Sequence, residues 1–180
     1  NWTINIFRSY LRGDILEVGC GIGNFTKMLI SYGNVYAFDI DNFCIEKTKQ
    51  KVKKTANIGF GDIEKGVYFF KNKKFDTIAC INVLEHIEND HQALSNMTHL
   101  LKQNGALILL IPSHPFLFGQ IDKAIGHYRR YAKKMITDQL KKLGTNIVFA
   151  KRINFLGAIG WFISGKVLKE VSVNERKLKL

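Results

Sequence analysis

Short, mostly apolar runs alternate along the chain with longer amphipathic segments. The runs that predict strands lie at 15–18, 35–38, 56–60, 75–81, 106–111 and 147–149. Apolar residues at helical spacing predict helices over 24–30, 42–54, 90–103 and 135–143. Strands that are apolar throughout are buried on both faces, as in a parallel sheet covered by helices. The pattern therefore predicts a doubly wound α/β fold, with a mostly parallel sheet and helices on both faces.

Composition is consistent with a folded protein and narrows its class. The chain has 180 residues, of which 46% are hydrophobic and 23% charged, unlike a disordered sequence. A formal net charge of +12 favours polyanions, anionic membrane surfaces or acidic substrates as partners. The three cysteines form no CxxC or Cys/His cluster, which argues against a disulfide scaffold and a structural zinc site. Their number and spacing favour a cytoplasmic location.

The strongest local signal is a glycine-rich loop between the first predicted strand and the first predicted helix. Its sequence is Glu17-Val18-Gly19-Cys20-Gly21-Ile22-Gly23. Glycines at such a place let the backbone approach a ligand closely, and a helix N-terminus favours a carboxylate or phosphate. The alternative is a tight turn that only needs positive φ angles. A dinucleotide fingerprint, G-x-G-x-x-G/A, requires a small residue at the position of Asn24, so that match fails.

The pattern E-x-G-x-G-x-G resembles motif I of the class I S-adenosylmethionine-dependent methyltransferases. Three later segments resemble further motifs of that family, in the family's order: Gly61-Asp62-Ile63, Phe75-Asp76 leading to 82–87, and 101–106. The resemblance covers about residues 13–154. It implies a Rossmann-like fold and S-adenosylmethionine as the cofactor. The family usually completes its sheet with a seventh, antiparallel strand, for which this sequence shows no convincing candidate.

The resemblance also implies which residues bind the cofactor: Glu17, Gly19, Gly21, Gly23, Asp39, Ile40, Asp62, Ile63 and Asn82. The loop glycines flank the methionine part, and the glutamate supports the loop. The aspartate that ends the second strand accepts hydrogen bonds from the ribose hydroxyls, with the next isoleucine against the adenine. The Asp-Ile pair after the third strand contacts the adenine, although Asp62 is alternatively a turn residue. The backbone of the asparagine after the fourth strand faces the methionine amino group.

The fourth-strand motif bears on the methyl acceptor. Relatives that methylate amino groups of nucleic acids carry [DNS]-P-P-[YFW] there, whereas this chain has Asn82-Val83-Leu84-Glu85. A Pro-Cys pair is absent as well, which argues against cytosine C5 chemistry. The segment from Asn82 to His86 instead resembles the branch of the family that modifies small molecules, quinones, lipids and sugars. That resemblance implies a small-molecule, sugar or lipid-linked glycan acceptor, methylated at oxygen, and no nucleic-acid partner. The basic runs leave an RNA methyltransferase as one alternative, and a cofactor-binding domain without its own activity is another.

Two regions supply candidate catalytic residues. His86 is a candidate general base because an imidazole titrates near neutral pH, the alternative being a packing or capping role. The segment 112–134 resembles one in methyltransferases found alongside glycosyltransferases, and it contains His127 and Arg130. These two are candidates for holding a phosphate or carboxylate on the acceptor, unless the segment is only a solvated basic loop. In relatives with a further acidic residue just upstream, residues like Glu85 and His86 join a metal site. Here that stretch is Cys80-Ile81-Asn82-Val83, so no metal site is predicted.

The domain prediction is a single methyltransferase domain over 1–154, with 112–134 as its acceptor loop. Residues 155–180 form a tail of the same domain, apolar at first and then basic. The apolar part is shorter than the roughly 20 residues needed to cross a bilayer. Packing on the core is the favoured interpretation, and contact with a membrane surface near a lipid-linked substrate is the alternative. The start of the chain shows no signal peptide.

Overall fold

A computed structural model describes residues 2–153 of the chain. The helices in this part are α1 Trp2–Phe7, α2 Asn24–Leu29, α3 Asn42–Val52, α4 Asp90–Leu100, α5 Gln120–Ala124 and α6 Lys133–Lys142. The strands are β1 Asp14–Val18, β2 Asn34–Asp39, β3 Asn57–Asp62, β4 Val67–Tyr68, β5 Phe75–Ile81 and β6 Leu101–Leu110. None of these helices combines the length and the apolar character needed to pass through a bilayer. The predicted tail over 155–180 lies outside the described residues.

The chain divides into two compact units. The first comprises the residues up to Leu84 together with Asn89–Leu110, and it contains every strand from β1 to β6. The second comprises Glu85–Glu88 together with the described residues from Ile111 onward, including α5 and α6. The prediction of one domain over 1–154 stays a prediction.

The sheet of the first unit has the strand order β4-β3-β2-β1-β5-β6. All neighbouring strands pair in parallel except β3 and β4, which are antiparallel. From β1 the chain steps outward to β2 and β3 in one direction, and then through β5 to β6 in the other. Since such crossovers are right-handed, α2 and α3 cover one face and α4 covers the opposite face. The doubly wound fold is thereby confirmed, and the reversal at β1 marks where such sheets bind ligands.

The central strands are buried on both faces, as their apolar sequences predict. In β1 every residue from Ile15 to Val18 is buried, and in β5 so is every residue from Thr77 to Ile81. Their parallel pairing joins Ile15 to Thr77 and Val18 to Cys80. Because both strands lie in the centre of the core, the loops that follow them start from fixed positions. The glycine-rich loop follows β1, and Asn82 follows β5.

Two predicted elements differ from the structure. Residues 147–149, predicted as a strand, form no strand. The side chains of Val148 and Phe149 are 72% and 49% exposed, so neither belongs to the described core. The helix predicted over 90–103 ends earlier, at Leu100, because β6 begins with the next residue and pairs beside β5.

Candidate functional site

The glycine-rich loop joins β1 to α2 through backbone that only glycine adopts readily. Gly19, Gly21 and Gly23 have φ angles of +73°, +50° and +78°. The amides of Gly19 and Cys20 both donate to the carbonyl oxygen of Phe38, at 2.9 and 3.0 Å. These two hydrogen bonds fix the start of the loop to the end of the neighbouring strand β2.

The carboxylate of Asp39, the last residue of β2, holds the middle of the same loop. Its Oδ2 accepts a hydrogen bond from the Gly21 amide at 2.9 Å, and its Oδ1 accepts one from the Asp41 amide at 3.0 Å. The Thr48 hydroxyl on α3 donates to the Gly21 carbonyl at 2.7 Å. Asp41 caps α3 by accepting from the Phe43 amide at 2.8 Å. Each Asp39 oxygen still has lone-pair capacity for another donor.

Glu17 is a buried acid in β1, with only 2% of its surface exposed. Its Oε2 accepts a hydrogen bond of 2.5 Å from the Thr26 hydroxyl, which connects β1 to α2. Burial raises the pKa of Glu17 to about 8, and the negative charge of Asp39 raises it further in the same direction. The hydrogen bond from Thr26 lowers the pKa, but its effect is smaller than that of burial. The side chain is therefore largely protonated at neutral pH. A buried acid of this kind costs stability, and such groups concentrate at functional sites.

The end of β5 closes one side of the glycine loop. Asn82 has a φ angle of +52°, and its amide donates to the carbonyl oxygen of Leu110 at 2.8 Å. A Cβ atom on Gly19 would lie 2.4 Å from Cγ2 of Val83, so the backbone of the loop packs directly on that side chain. A Cβ atom on Gly21 would meet nothing within 4 Å. The loop is thus closed at Gly19 and open at Gly21.

The other predicted cofactor residues differ in exposure. Ile40 is 67% exposed, immediately after β2. Asp62, at the end of β3, accepts hydrogen bonds at 3.0 Å from the amides of Glu64 and Lys65, which is the geometry of a turn residue. Ile63 is buried. The predicted residues that contact the glycine loop therefore come from β1, β2 and the end of β5. Asp62 and Ile63 follow β3, which is one strand farther out than β2.

The second unit contains a cluster of polar side chains, here called the histidine cluster: Glu85, His86, Asp122, His127 and Arg130. Asp122 lies at its centre and is fully buried. Its Oδ1 is 2.7 Å from Nε of Arg130 and 3.0 Å from Nδ1 of His127, and its Oδ2 accepts from the Gly119 amide at 3.0 Å. Although burial opposes it, hydrogen bonds from His127 and Arg130 lower the pKa of Asp122. The side chain is therefore a carboxylate, and His127 donates to it from Nδ1.

Glu85 completes the cluster on the other side of the His127 ring. Its Oε1 lies 3.9 Å from Nε2 of His127, and its Oε2 has no hydrogen-bond partner among the described residues. Burial raises the pKa of Glu85 to about 7. The His86 ring meets the His127 ring edge-on, with centroids 4.6 Å apart. His86 is exposed on one side, and its partial burial together with the nearby His127 lowers its pKa. An imidazole held at Nδ1 by a carboxylate presents Nε2 as a hydrogen-bond acceptor or a metal ligand.

A family model described as "Methyltransferase domain" matches residues 16–109, more than half of the chain. The matched range includes the glycine loop, Asp39 and Asn82. The chain belongs to the class I S-adenosylmethionine-dependent methyltransferases. The predicted family and fold class are confirmed, and S-adenosylmethionine is the cofactor of this family.

Relatives and solved structures agree with this assignment. The chain is 30% identical over 144 residues to the ubiquinone biosynthesis O-methyltransferase of Rickettsia canadensis, covering 69% of this chain and 61% of that protein. It is 27% identical over 140 residues to the malonyl-[acyl-carrier protein] O-methyltransferase of a Paenibacillus species, covering 73% and 50%. The chain therefore spans about half to three fifths of the length of these relatives.

Among solved structures, the N-methyltransferase NodS of Bradyrhizobium japonicum, in complex with S-adenosyl-L-homocysteine, has a TM-score of 0.61 to this chain. The two chains are 22% identical, and the match covers 78% of this chain and 69% of NodS. At this identity the likeness shows the shared fold alone.

Asp122 is a residue of the histidine cluster that sequence reasoning missed. It belongs to no recognised motif, and its helix α5 is only five residues long. The signal that was available is its spacing, five positions before His127 and eight before Arg130. That spacing becomes informative only once the segment is known to fold back on itself. Arg130 is buried against Asp122, so this part of 112–134 is not a solvated basic loop.

Proposed function

We propose that this chain carries the cofactor site of an enzyme that methylates a hydroxyl group on a small-molecule, sugar or lipid-linked acceptor. The observation that carries the proposal is the glycine loop, held open at Gly21 by the carboxylate of Asp39. The names of two relatives, both O-methyltransferases, support oxygen as the methylated atom. Those proteins are longer than this chain, so the acceptor of the whole protein is part of the proposal.

The loop residues fit S-adenosylmethionine. The backbone at Gly21 is uncovered, so a ligand approaches it without meeting a side chain. Asp39, fixed by two backbone amides, has lone pairs for the ribose hydroxyls. Glu17 supports the loop from β1, and the exposed face of Ile40 suits the adenine. When bound, S-adenosylmethionine supplies an already electrophilic methyl carbon, so the chain has chiefly to align the acceptor oxygen.

Gly21→Ala is expected to weaken S-adenosylmethionine binding, measured by calorimetric titration, by about tenfold. The added methyl group projects into the open space where the cofactor would lie, while the φ angle of +50° costs the fold only about 1–2 kcal/mol. Gly144→Ala is the matched control, because Gly144 also has a positive φ angle and open space around its Cβ position. Equal affinity in wild type and Gly21→Ala would mean that the loop is only a turn.

For the acceptor, we infer roles for His86, His127 and Arg130. An acceptor hydroxyl must give up its proton as its oxygen is methylated, which calls for a hydrogen-bond acceptor beside it. His127 is the preferred candidate because Asp122 holds its Nδ1, which orients Nε2. His86 is the second candidate. Arg130 would bind an anionic group of the acceptor, sharing its guanidinium with Asp122.

His127→Ala is expected to lower methyl transfer by about tenfold or more, without changing the affinity for S-adenosylmethionine. The measurement is transfer of a labelled methyl group from S-adenosylmethionine to a panel of quinols, sugars and lipid-linked glycans. His91→Ala, which removes an exposed histidine of α4, is the control. Cofactor binding without transfer to any acceptor would favour a domain without its own activity, and salt-sensitive transfer to RNA would favour the RNA methyltransferase.

Two finer predictions also belong to this proposal. A cytoplasmic location is supported by the cysteines, since no disulfide joins any two of the three, all of which lie in the described part of the chain. Contact of the tail with a membrane surface would bring the protein near a lipid-linked acceptor. That tail lies beyond residue 153, so the contact rests on the sequence alone.

A further inference from the structure

Three side chains of the histidine cluster are arranged as ligands for one ion. Glu85, His86 and His127 each offer one ligand atom, and these atoms all lie within 4.8 Å of one another. Two imidazole nitrogens and one carboxylate oxygen suit zinc and its neighbours among the divalent transition metals, rather than calcium or magnesium. We propose that Glu85, His86 and His127 form a binding site for one divalent transition-metal ion such as Zn²⁺.

Glu85 is the ligand that most needs a partner. Its side chain is 2% exposed, and its Oε2 has no hydrogen-bond partner among the described residues. A buried polar oxygen left without a partner costs free energy, and a metal ion supplies both a bond and a positive charge. His86, in contrast, is exposed, so an ion and its water molecules reach the site from solvent. The site therefore has one ligand held in a fixed position by burial, Glu85, and one ligand that is accessible to solvent, His86.

Asp122 prepares His127 for metal binding. Because a carboxylate only accepts hydrogen bonds, the contact of 3.0 Å fixes the ring hydrogen on Nδ1 and leaves the lone pair of Nε2 on the Glu85 side. Histidines that bind metals commonly donate their other N–H to a carboxylate in this way. Arg130 and the Gly119 amide in turn hold Asp122 in place. His127 is therefore held in position by Asp122, and Asp122 by Arg130 and Gly119. A chance group of histidines lacks such supporting contacts.

The distances require only a small closure of the side chains. Ligand atoms about 2.1 Å from a tetrahedral zinc are roughly 3.4 Å apart. The limit of 4.8 Å in the structure thus calls for movements of about an ångström, within reach of rotations in the exposed side chain of His86. Three protein ligands leave a coordination position for water or for an oxygen of a bound molecule. Use of that position by a methyl acceptor rests on the proposed function, whereas binding of the ion does not.

Titration of the metal-free chain with ZnCl₂, followed by calorimetry, tests the site. We expect one ion per chain with micromolar or tighter affinity, and visible absorption bands when Co²⁺ replaces Zn²⁺. Glu85→Gln and His86→Ala are each expected to weaken binding by about tenfold or more. Glu85→Gln keeps the shape of the side chain, and His86 is exposed, so both variants should fold. His91→Ala, outside the cluster, is expected to bind the ion as wild type does.

Three results would overturn the site: no binding up to millimolar Zn²⁺, binding that survives both cluster variants, or an equal loss in His91→Ala. Of the three cysteine thiols, only that of Cys44 is not buried. The titration is therefore repeated with Cys44→Ser, to exclude zinc binding by this thiol. Neither S-adenosylmethionine nor an acceptor is present in these titrations. A negative result therefore leaves the proposed methyl transfer untouched, and a failure of methyl transfer leaves the metal result standing.

Discussion

Asp39→Ala is expected to weaken S-adenosylmethionine binding by about 100-fold or more, because hydrogen bonds to a charged acceptor contribute about 1.5–3 kcal/mol each. The variant removes the proposed acceptor for two ribose hydroxyls. It also removes the oxygen that accepts from the Gly21 amide, so the middle of the loop loses its hydrogen bond to β2, while the backbone bonds from Gly19 and Cys20 to Phe38 remain. Both effects act against binding of the same ligand.

The neighbouring acid supplies the control for this experiment. Asp41→Ala removes the same charge two residues later, together with the cap of α3, at a cost of about 1 kcal/mol in stability. Its affinity for S-adenosylmethionine, measured by the same calorimetric titration, is expected to stay near that of wild type. If Asp39→Ala and Asp41→Ala bind equally well, Asp39 has no contact with the cofactor and serves only to anchor the loop.

Glu17→Gln is expected to raise the free energy of unfolding near pH 8 by on the order of 3–5 kcal/mol and to leave it unchanged below about pH 4. Folding raises the pKa of Glu17 to about 8 from its ordinary value of 4.5. Below that ordinary value both states hold the proton. As the pH rises towards 8, the unfolded chain releases the proton while the folded protein keeps it, so stability falls. Glutamine stays neutral and still offers an oxygen to Thr26.

Urea unfolding at several pH values between about 4 and 8 measures this difference. Glu46→Gln provides the control, since Glu46 is an exposed acid of α3 whose pairing with Lys49 contributes less than about 1 kcal/mol. The control is expected to follow the wild-type curve. Parallel curves for wild type and Glu17→Gln would show that the Glu17 carboxyl ionises in the folded protein at its ordinary pKa.

The cofactor region was predictable because its signals are local. The glycines in the loop from Glu17 to Gly23 indicate positions with positive φ angles, and the structure has positive φ angles at all three of these glycines. Asp39 ends the adjacent strand, so parallel pairing alone brings it to the loop. The order of the sheet follows from the alternation of strands and helices and from right-handed crossovers. The predicted roles of these residues toward the cofactor remain proposals.

His86, His127 and Arg130 were singled out from the sequence, but their grouping with Glu85 and Asp122 was not predictable, because these residues are distant in the chain. Glu85 and His127 meet only after the segment 112–134 has folded, and Asp122 sits on a helix of five residues that leaves no periodic signal. The absence of a metal site was predicted from the residues just upstream of Glu85, a window that could not include His127. The wrong strand at 147–149 has a related cause, since a short apolar run does not specify which strand it will pair with.

The second unit is built from two separate stretches of the chain, which limits how segments of this protein could be exchanged with those of its relatives. Glu85–Glu88 is enclosed by stretches of the first unit, while the remainder begins at Ile111. A single crossover at that point would transfer His127 from a donor gene but retain the host's Glu85 and His86. Each exchange of this kind mixes the halves of the histidine cluster from two parents. If the histidine cluster binds the acceptor as proposed, a transfer of acceptor preference requires Glu85–Glu88 and the later segment to be exchanged together.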